Sequence, residues 1–498
     1  MSEQPPISSA APGGAPHPAL THQQIVRIVQ GITLAMFLGA LDQTIVATAL
    51  PTIGRHFHNV EDLAWVVTAY LLTGTAATPL LGKLSDMYGR RVVMLSAVAI
   101  FVIGSVACAL APSMMALILA RGFQGFGGGA LIALAQTVIA DIVSPRERGR
   151  YQGYIAGVFA LSSVGGPVLG GILTEYIDWS LIFWINVPLG VLALAMTWHM
   201  LKLVPFHKRE HKLDAIGAAL MMLASVALLL ALSSGGARYP WLSLEIAALV
   251  VGSLVLWGLF ALRLARAAEP FLPLNILRNK VVRSATLAGA CTMGTLVGMT
   301  IFMPLYFEGV MGLTATQSGL ALIPMLGVVT VAALLAGQGL MRLKHYKRIP
   351  IAGNTGAIAA LVIMAIFPDR LSMAAVVTLT CIAGLGFGMV FPVSTVCMQN
   401  AVEHPQMGIA TGAANFFRAL FAALVVAILG AIVLGGLGGG AGASVEVLAR
   451  SASAHDLGLA FRMVFAVCAA VLACGLGFIF ALEEVPLRGP GGPAVEPH

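Results

Sequence analysis

Leu41-Asp42-Gln43-Thr44-Ile45-Val46-Ala47-Thr48-Ala49-Leu50-Pro51 forms the second half of the first long apolar run. Asp42 is the only acid deep inside any apolar run of the chain. An ionised carboxylate in hydrocarbon is so costly that it faces a cavity, pairs with a cation or carries protons. The surrounding runs say that the medium is a bilayer: 58% of residues are hydrophobic, 10% are charged and mean hydropathy is +0.92. An ordinary soluble domain has roughly 25% charged residues. The expectation is an all-α polytopic membrane protein.

One crossing takes about 20 apolar residues. On that measure fourteen segments are expected, at 28–50, 63–81, 92–111, 114–140, 152–173, 180–201, 215–233, 243–262, 285–307, 317–340, 350–367, 372–393, 408–435 and 460–482. With the N-terminus inside, alternate loops hold 21 Lys and Arg on the cytoplasmic side against 4 outside. That bias predicts both termini in the cytoplasm. Residues 1–24, rich in Pro, Ser, Ala and Gly, read as a disordered tail with no cleavable signal, and 483–498 as a second tail. The six cysteines lie within apolar runs without metal spacing and read as small buried hydrophobes.

Gly125-Phe126-Gly127, with Pro145 and Gly153 after it, recurs about 260 residues later as Gly386-Phe387-Gly388, with Pro405 and Gly412. Pro51, Gly82 and Arg90-Arg91 recur as Pro304, Gly339 and Lys347-Arg348. Two six-helix bundles follow, 25–201 and 285–482, with two inserted helices and their loops at 202–284. Such a repeat places a transport site between the halves at mid-membrane.

Depth adds a cation. Asp42 lies nine residues before Pro51, and Arg121 eight after Ser113 on a helix running the other way. At 1.5 Å per residue both sit roughly 12–14 Å below the outer surface. Arg121 nearby favours ionised Asp42 and desolvation favours the neutral acid, so a cavity that opens and closes switches the balance. A static pair that only fixes packing is the alternative. Arg418 lies about 16 Å along its helix from Met407, with no acid at its level in the C-terminal half. It either caps carbonyls and polar side chains, or faces the cavity and attracts anionic substrates or Asp42. Arg462, near the outer end of its helix, reads as a snorkelling anchor.

Gly82-Lys83-Leu84-Ser85-Asp86-Met87-Tyr88-Gly89-Arg90-Arg91 stands between the second and third segments. Gly82 and Gly89 permit tight turns, Asp86 can accept from a helix start, and Arg90 and Arg91 hold the loop at the anionic inner leaflet. A gate latch and a plain positive-inside anchor are the two readings.

This block resembles the loop signature of the major facilitator superfamily, and the chain from about Arg27 to Leu482 is similar to its fourteen-helix drug:proton antiporter branch, the EmrB/QacA subfamily. Further matching blocks are Asp42 to Pro51, Leu119 to Gly125, Gly157 with Gly165-Gly166-Pro167-Val168-Leu169-Gly170-Gly171, Phe183 to Pro188, Asp214 to Gly217 and Thr411 to Arg418. The chain departs from the pattern at Met87, at Ala47 and in Ala419 to Ala423. The resemblance implies a major facilitator fold and export of hydrophobic, often cationic compounds against inward proton flow by alternating access. It implies Asp42 as protonation site, Arg121 as its modulator, Asp86 as gate residue, and the Gly157 to Gly171 block as the bending element of antiporters. Cavity candidates are Phe37, Gln43, Thr44, Tyr70, Gln124, Asn415, Phe416 and Arg418.

No Gly-x-x-x-x-Gly-Lys-Ser/Thr, Ser/His/Asp or metal constellation occurs, so neither an enzyme nor a cofactor is expected and a proton gradient is the energy source. The implied partners are small hydrophobic or cationic molecules, protons, the lipid bilayer and optionally a periplasmic adaptor protein, with no nucleic acid. The expected setting is the bacterial inner membrane. A dedicated exporter of one metabolite or antibiotic is the nearest alternative; a proton-linked importer is a more distant one.

Overall fold

A computed structural model describes residues 21–59, 62–203, 213–236, 238–267, 269–343, 345–436, 454–484 and 486. Most of the two expected tails lies outside these residues. Residues 22–24 belong to the first helix instead of a tail, because Thr21 and Gln24 close a capping box that starts it.

Among the described residues there are seventeen α-helices. The first half holds α1 (His22–Phe57), α2 (Leu63–Tyr88), α3 (Arg90–Ala109), α4 (Met114–Gly128), α5 (Leu131–Ile142), α6 (Pro145–Tyr176), α7 (Leu181–Trp184) and α8 (Asn186–Met200). Next come α9 (Ala215–Ser234), α10 (Leu244–Arg266) and the short α11 (Leu274–Arg278). The second half holds α12 (Lys280–Gly309), α13 (Ala315–Arg342), α14 (Arg348–Ile366), α15 (Met373–Asn400), α16 (Met407–Gly436) and α17 (Ala454–Ala481). Fourteen spans are long and apolar enough to cross a bilayer, with α4–α5 and α7–α8 each making one crossing from two pieces. The fourth crossing breaks at Gly129-Ala130, where the glycine run tolerates a discontinuity in the helix. Several of these helices run through a proline, α1 through Pro51 and α6 through Pro167 among them.

The pairings α1/α6, α2/α4, α3/α8 and α1/α8 of the first half recur as α12/α16, α13/α15, α14/α17 and α12/α17 in the second. Each half encloses its own apolar core, around Met94, Phe101 and Leu134 in one and Phe307, Phe387 and Phe465 in the other. The halves meet along two seams, α2/α16 and α6/α13. Helices α9 and α10 pack on each other, and α9 rests on both α2 and α16, so this pair covers the first seam. Asp214 starts α9 by capping Gly217 and pairs with Arg263 of α10, which ties the two together.

The helices outrun the apolar segments at several ends. Hydropathy marks only the hydrocarbon-facing part, whereas backbone hydrogen bonding continues through polar turns at the headgroups. Four of the cysteines are buried as expected, but Cys381 is half-buried and Cys474 is exposed on α17.

Candidate functional site: a buried ion pair and an interdomain latch

Asp42 and Arg121 are in contact. Arg121 Nη1 donates to Asp42 Oδ2 at 2.5 Å, and the two side chains are 1% and 0% exposed respectively. Gln124, three residues along α4 and so on the same face, donates from Nε2 to Asp42 Oδ1 at 2.9 Å. Asn186, the first residue of α8, donates to the same oxygen at 3.0 Å. Both amides also donate to Ser105 Oγ of α3, which donates onward to the Phe183 carbonyl. Arg121 has further acceptors in Gln124 Oε1 at 2.6 Å and the Val66 carbonyl at 3.1 Å, and its guanidinium lies 4.3 Å from the Tyr70 ring centroid. Gly104 lets α3 approach this closely, since a Cβ there would stand 2.6 Å from Gln124 Cα.

Three crossings thus meet at one carboxylate inside the first bundle, α1, α4 and α7–α8, and α3 and α2 join the network through Ser105 and the Val66 carbonyl. Burying two charges costs several kcal/mol per ion, and the pair offsets that only with its remaining lone pairs and protons satisfied, which the two amides and the carbonyl supply. Tyr70 and Gln124, expected along an open cavity, stand in this enclosed network instead. Ser105 was invisible to a hydropathy reading. Asn186 and Gln124 were discernible only as amides within apolar runs.

The Gly82 to Arg91 block is mostly helix, not loop. Its first seven residues are the last two turns of α2, and Gly89 alone makes the turn, with φ 95°, before α3 begins at Arg90. Gly82 serves a close approach, not a turn: a Cβ there would stand 2.5 Å from the Gly408 carbonyl oxygen. Asp86 accepts from the backbone N–H of Gly408 at 2.9 Å and of Ile409 at 2.8 Å, at the start of α16. A carboxylate there meets unsatisfied N–H donors and the positive end of the helix dipole. Arg90 bridges Asp86 at 2.5 Å and Asp141 at 2.6 Å. The paired arginines therefore divide: Arg90 is buried in the latch, while Arg91 lies 4.1 Å from the Trp198 ring centroid. Successive helical residues point about 100° apart, so one arginine turns inward and its neighbour cannot follow.

Other contacts close the same end. Asn415 of α16 donates to Gln136 Oε1 of α5 at 2.8 Å, and Gln399 of α15 donates to the Gln136 carbonyl at 3.4 Å. Gly149 of α6 and Gly337 of α13 are in backbone contact, and Gly153 packs on Leu334. One turn further along that face a Cβ on Gly157 would meet nothing within 4 Å. The halves are sealed at the Asp86 end and part beyond it. Gly82→Ala is expected to weaken this seal by about 1–3 kcal/mol through overpacking, seen as faster labelling of a cysteine placed at Gln136 than in the Gly82 parent.

Elsewhere in the α6 block, Gly166 and Gly170 receive Thr44 and Thr48 of α1, whereas Gly165 and Gly171 face open space. Thr44 is half-buried and donates to the Ser162 carbonyl at 2.8 Å, so it fastens α1 to α6. Phe37 packs against the first core, and Gln43 is half-buried. Phe416 turns away from the interior: it is buried against Trp257 of α10, with ring centroids 6.3 Å apart. Arg418 donates to Ser394 Oγ at 3.0 Å and Thr395 Oγ1 at 3.2 Å. Arg462 is exposed.

The sequence profile of the Major Facilitator Superfamily matches residues 32–426. The chain belongs to that superfamily. The protein is a multi-pass membrane transporter and not an enzyme, and its fourteen spans fit the fourteen-helix branch of the superfamily. It is 32% identical over 410 residues to the multidrug transporter protein MdtP of Bacillus subtilis, covering 82% of this chain and 75% of that one. It is 33% identical over 405 residues to multidrug resistance protein 3 of the same organism, with coverages of 81% and 79%. The efflux pump dotC of Dothistroma septosporum is 33% identical over 420 residues, covering 83% and 72%. Among solved structures, a bacterial homologue of the iron transporter ferroportin gives a TM-score of 0.65 at 12% identity, covering 92% of this chain and 98% of that one. The proton:xylose symporter XylE gives 0.61 at 13%, covering 93% and 100%. At these identities the two structures establish the major facilitator fold alone.

Proposed function

We propose that this superfamily member is a proton-coupled antiporter that exports hydrophobic or amphipathic drug-like compounds by alternating access. It would work in a bacterial inner membrane with both termini and the latched Asp86 end in the cytoplasm. The observation that carries the reading is the enclosed Asp42–Arg121 pair, a carboxylate at membrane depth through which three crossings are tied together. Similarity to proteins named multidrug transporters and efflux pumps supports export as the direction.

With Asp42 ionised, the pair ties α1 to α4 and the amides of Gln124 and Asn186 hold the second oxygen. A proton on the carboxylate removes the charge–charge attraction and loosens α1 within the bundle. Because α1 is also fastened to α6 through Thr44, and α6 forms a seam with α13, the change reaches the contact between the halves. Asp86 of α2, bonded to the start of α16, holds the alternative in which the cytoplasmic end is shut. In everted membrane vesicles with an acid-inside gradient, fluorescent dye uptake is expected to run at least about tenfold above an empty-vector control and to collapse with a protonophore. Uptake indifferent to the protonophore would falsify proton coupling.

A further inference from the structure

A groove of about 610 Å³ runs between α14 and α17, two helices that belong to neither seam between the halves. Ile358, Val362 and Ile366 form one wall; Ala466, Ala470 and Ala473 form the other. Alanines leave the α17 wall shallow, so neither helix fills the trough. Val362, Ile366 and these three alanines are exposed, which opens it to the surrounding bilayer. One charged residue lines it, the exposed Arg462.

The depth of that arginine follows from the register of the two antiparallel helices. Asn354 of α14 donates to the Leu472 carbonyl of α17 at 3.0 Å. Counting ten residues from that bond along each helix, from 472 to 462 and from 354 to 364, sets Arg462 level with Met364 in the last turn of α14. From Arg462 to Ala473 the α17 wall runs about 16 Å. One leaflet of hydrocarbon is roughly 15 Å deep. The groove therefore has a cation at its rim and one leaflet's depth of apolar wall below.

Among the described residues Arg462 makes no hydrogen bond and no ion pair. Asp369 lies against Gly458, one turn nearer the helix end, out of ion-pair reach, and the exposed Arg370 beside it adds a second cation to the turn above the groove. An arginine that only snorkels to water needs no trough beneath it, and a trough for bulk lipid needs no arginine, which is costly at this level.

We infer that the α14/α17 groove is a binding site for one anionic phospholipid, taken from the leaflet at the end of the molecule away from the Asp86 latch. Its phosphate sits on Arg462 and one acyl chain lies along the alanines. Guanidinium meets phosphate through two parallel N–H bonds, and a headgroup without its own cation leaves that attraction uncancelled. A second copy of the chain fits less well, because a two-fold axis along the membrane normal would bring both Arg462 side chains together at one depth. The site is independent of what is exported and of what drives export.

The test uses the full-length protein in phosphatidylcholine nanodiscs. All six tryptophans precede residue 285, so Ala359→Trp, exposed on α14 beside the groove, reports from a half that has none. Its quenching by dibrominated phosphatidylglycerol and by dibrominated phosphatidylcholine, after subtraction of the signal of the Ala359 parent, gives the preference at the groove. About fivefold in favour of the anionic lipid is expected, against about onefold for Leu254→Trp on the exposed face of α10. Arg462→Gln should bring the groove to about onefold, and Arg462→Lys should keep part of the preference. Ala470→Leu, which fills the trough and keeps the cation, should lower it to about twofold or less. Equal quenching by both lipids at Ala359→Trp, or a preference unmoved by Arg462→Gln or by Ala470→Leu, would overturn the site. Loss of the preference in millimolar glycerol phosphate would reveal a site for soluble anions instead. A dimer in detergent that Ala470→Leu converts to monomer would put a second copy in the groove and equally overturn the assignment.

Discussion

Asp42→Asn is expected to lower gradient-driven dye transport by about a hundredfold or more, to the level of passive leak, while the protein still inserts and can be purified. The substitution preserves shape and most of the hydrogen bonds from Gln124 and Asn186 but leaves Arg121 buried without its counter-charge. Breaking a buried pair from one side costs about 3–5 kcal/mol, and the retained amide contacts put this case near the lower end. Purified Asp42→Asn should therefore unfold at lower temperature than wild type. Adding Arg121→Gln removes the orphaned cation, so the double variant should recover most of the stability and none of the transport. A double variant as unstable as the single one would show that the ion pair is not what couples α1 to α4. Undiminished gradient-driven transport by Asp42→Asn would remove the carboxylate from the coupling step.

Asp86→Ala is expected to shift the protein out of the closed-latch arrangement. The carboxylate accepts two backbone N–H bonds from the start of α16 and pairs with Arg90, and hydrogen bonds to a charged group contribute about 1.5–3 kcal/mol each. Losing a net 3 kcal/mol or so changes the ratio of closed to open forms by roughly a hundredfold. Spin labels at Arg150 on α6 and Gln338 on α13, both exposed near the sealed end, report the change. Wild type should give one short distance, and Asp86→Ala a second, longer population. A single unchanged distance in the variant would mean that the glycine contacts hold the seam without the carboxylate.

The spans were legible because hydrocarbon thickness sets the length of each apolar run. The shared depth of Asp42 and Arg121 was legible for a related reason: counting inward from Pro51 and Ser113 puts both residues at one level, although only Ser113 caps a helix and α1 runs on through Pro51 to Phe57. What depth does not carry is rotation about the helix axis. Phe416 lies at a suitable level for a central cavity yet points to Trp257, and nothing in its neighbours' hydropathy distinguishes the two faces of so apolar a helix. Gln124, Ser105 and Asn186 share the same difficulty, since three neutral side chains on three helices become one network only when packing turns them together. Asp141 falls one residue past the apolar segment ending at 140, so the carboxylate that completes the Arg90 bridge was left in a loop.

The inserted helices make a two-fold arrangement one-sided. With α9 laid across α2 and α16, one flank of the molecule is splinted, and rocking of the halves must shear those two helices beneath it. The opposite flank, α6 against α13, presents Leu161 and Val168 on one side and Leu320 and Val331 on the other, all exposed. A lipophilic molecule diffusing in the plane of the membrane therefore meets a splinted flank from one direction and an unsplinted one from the other, so any sideways entrance has a compass bearing fixed by where the extra pair of helices sits.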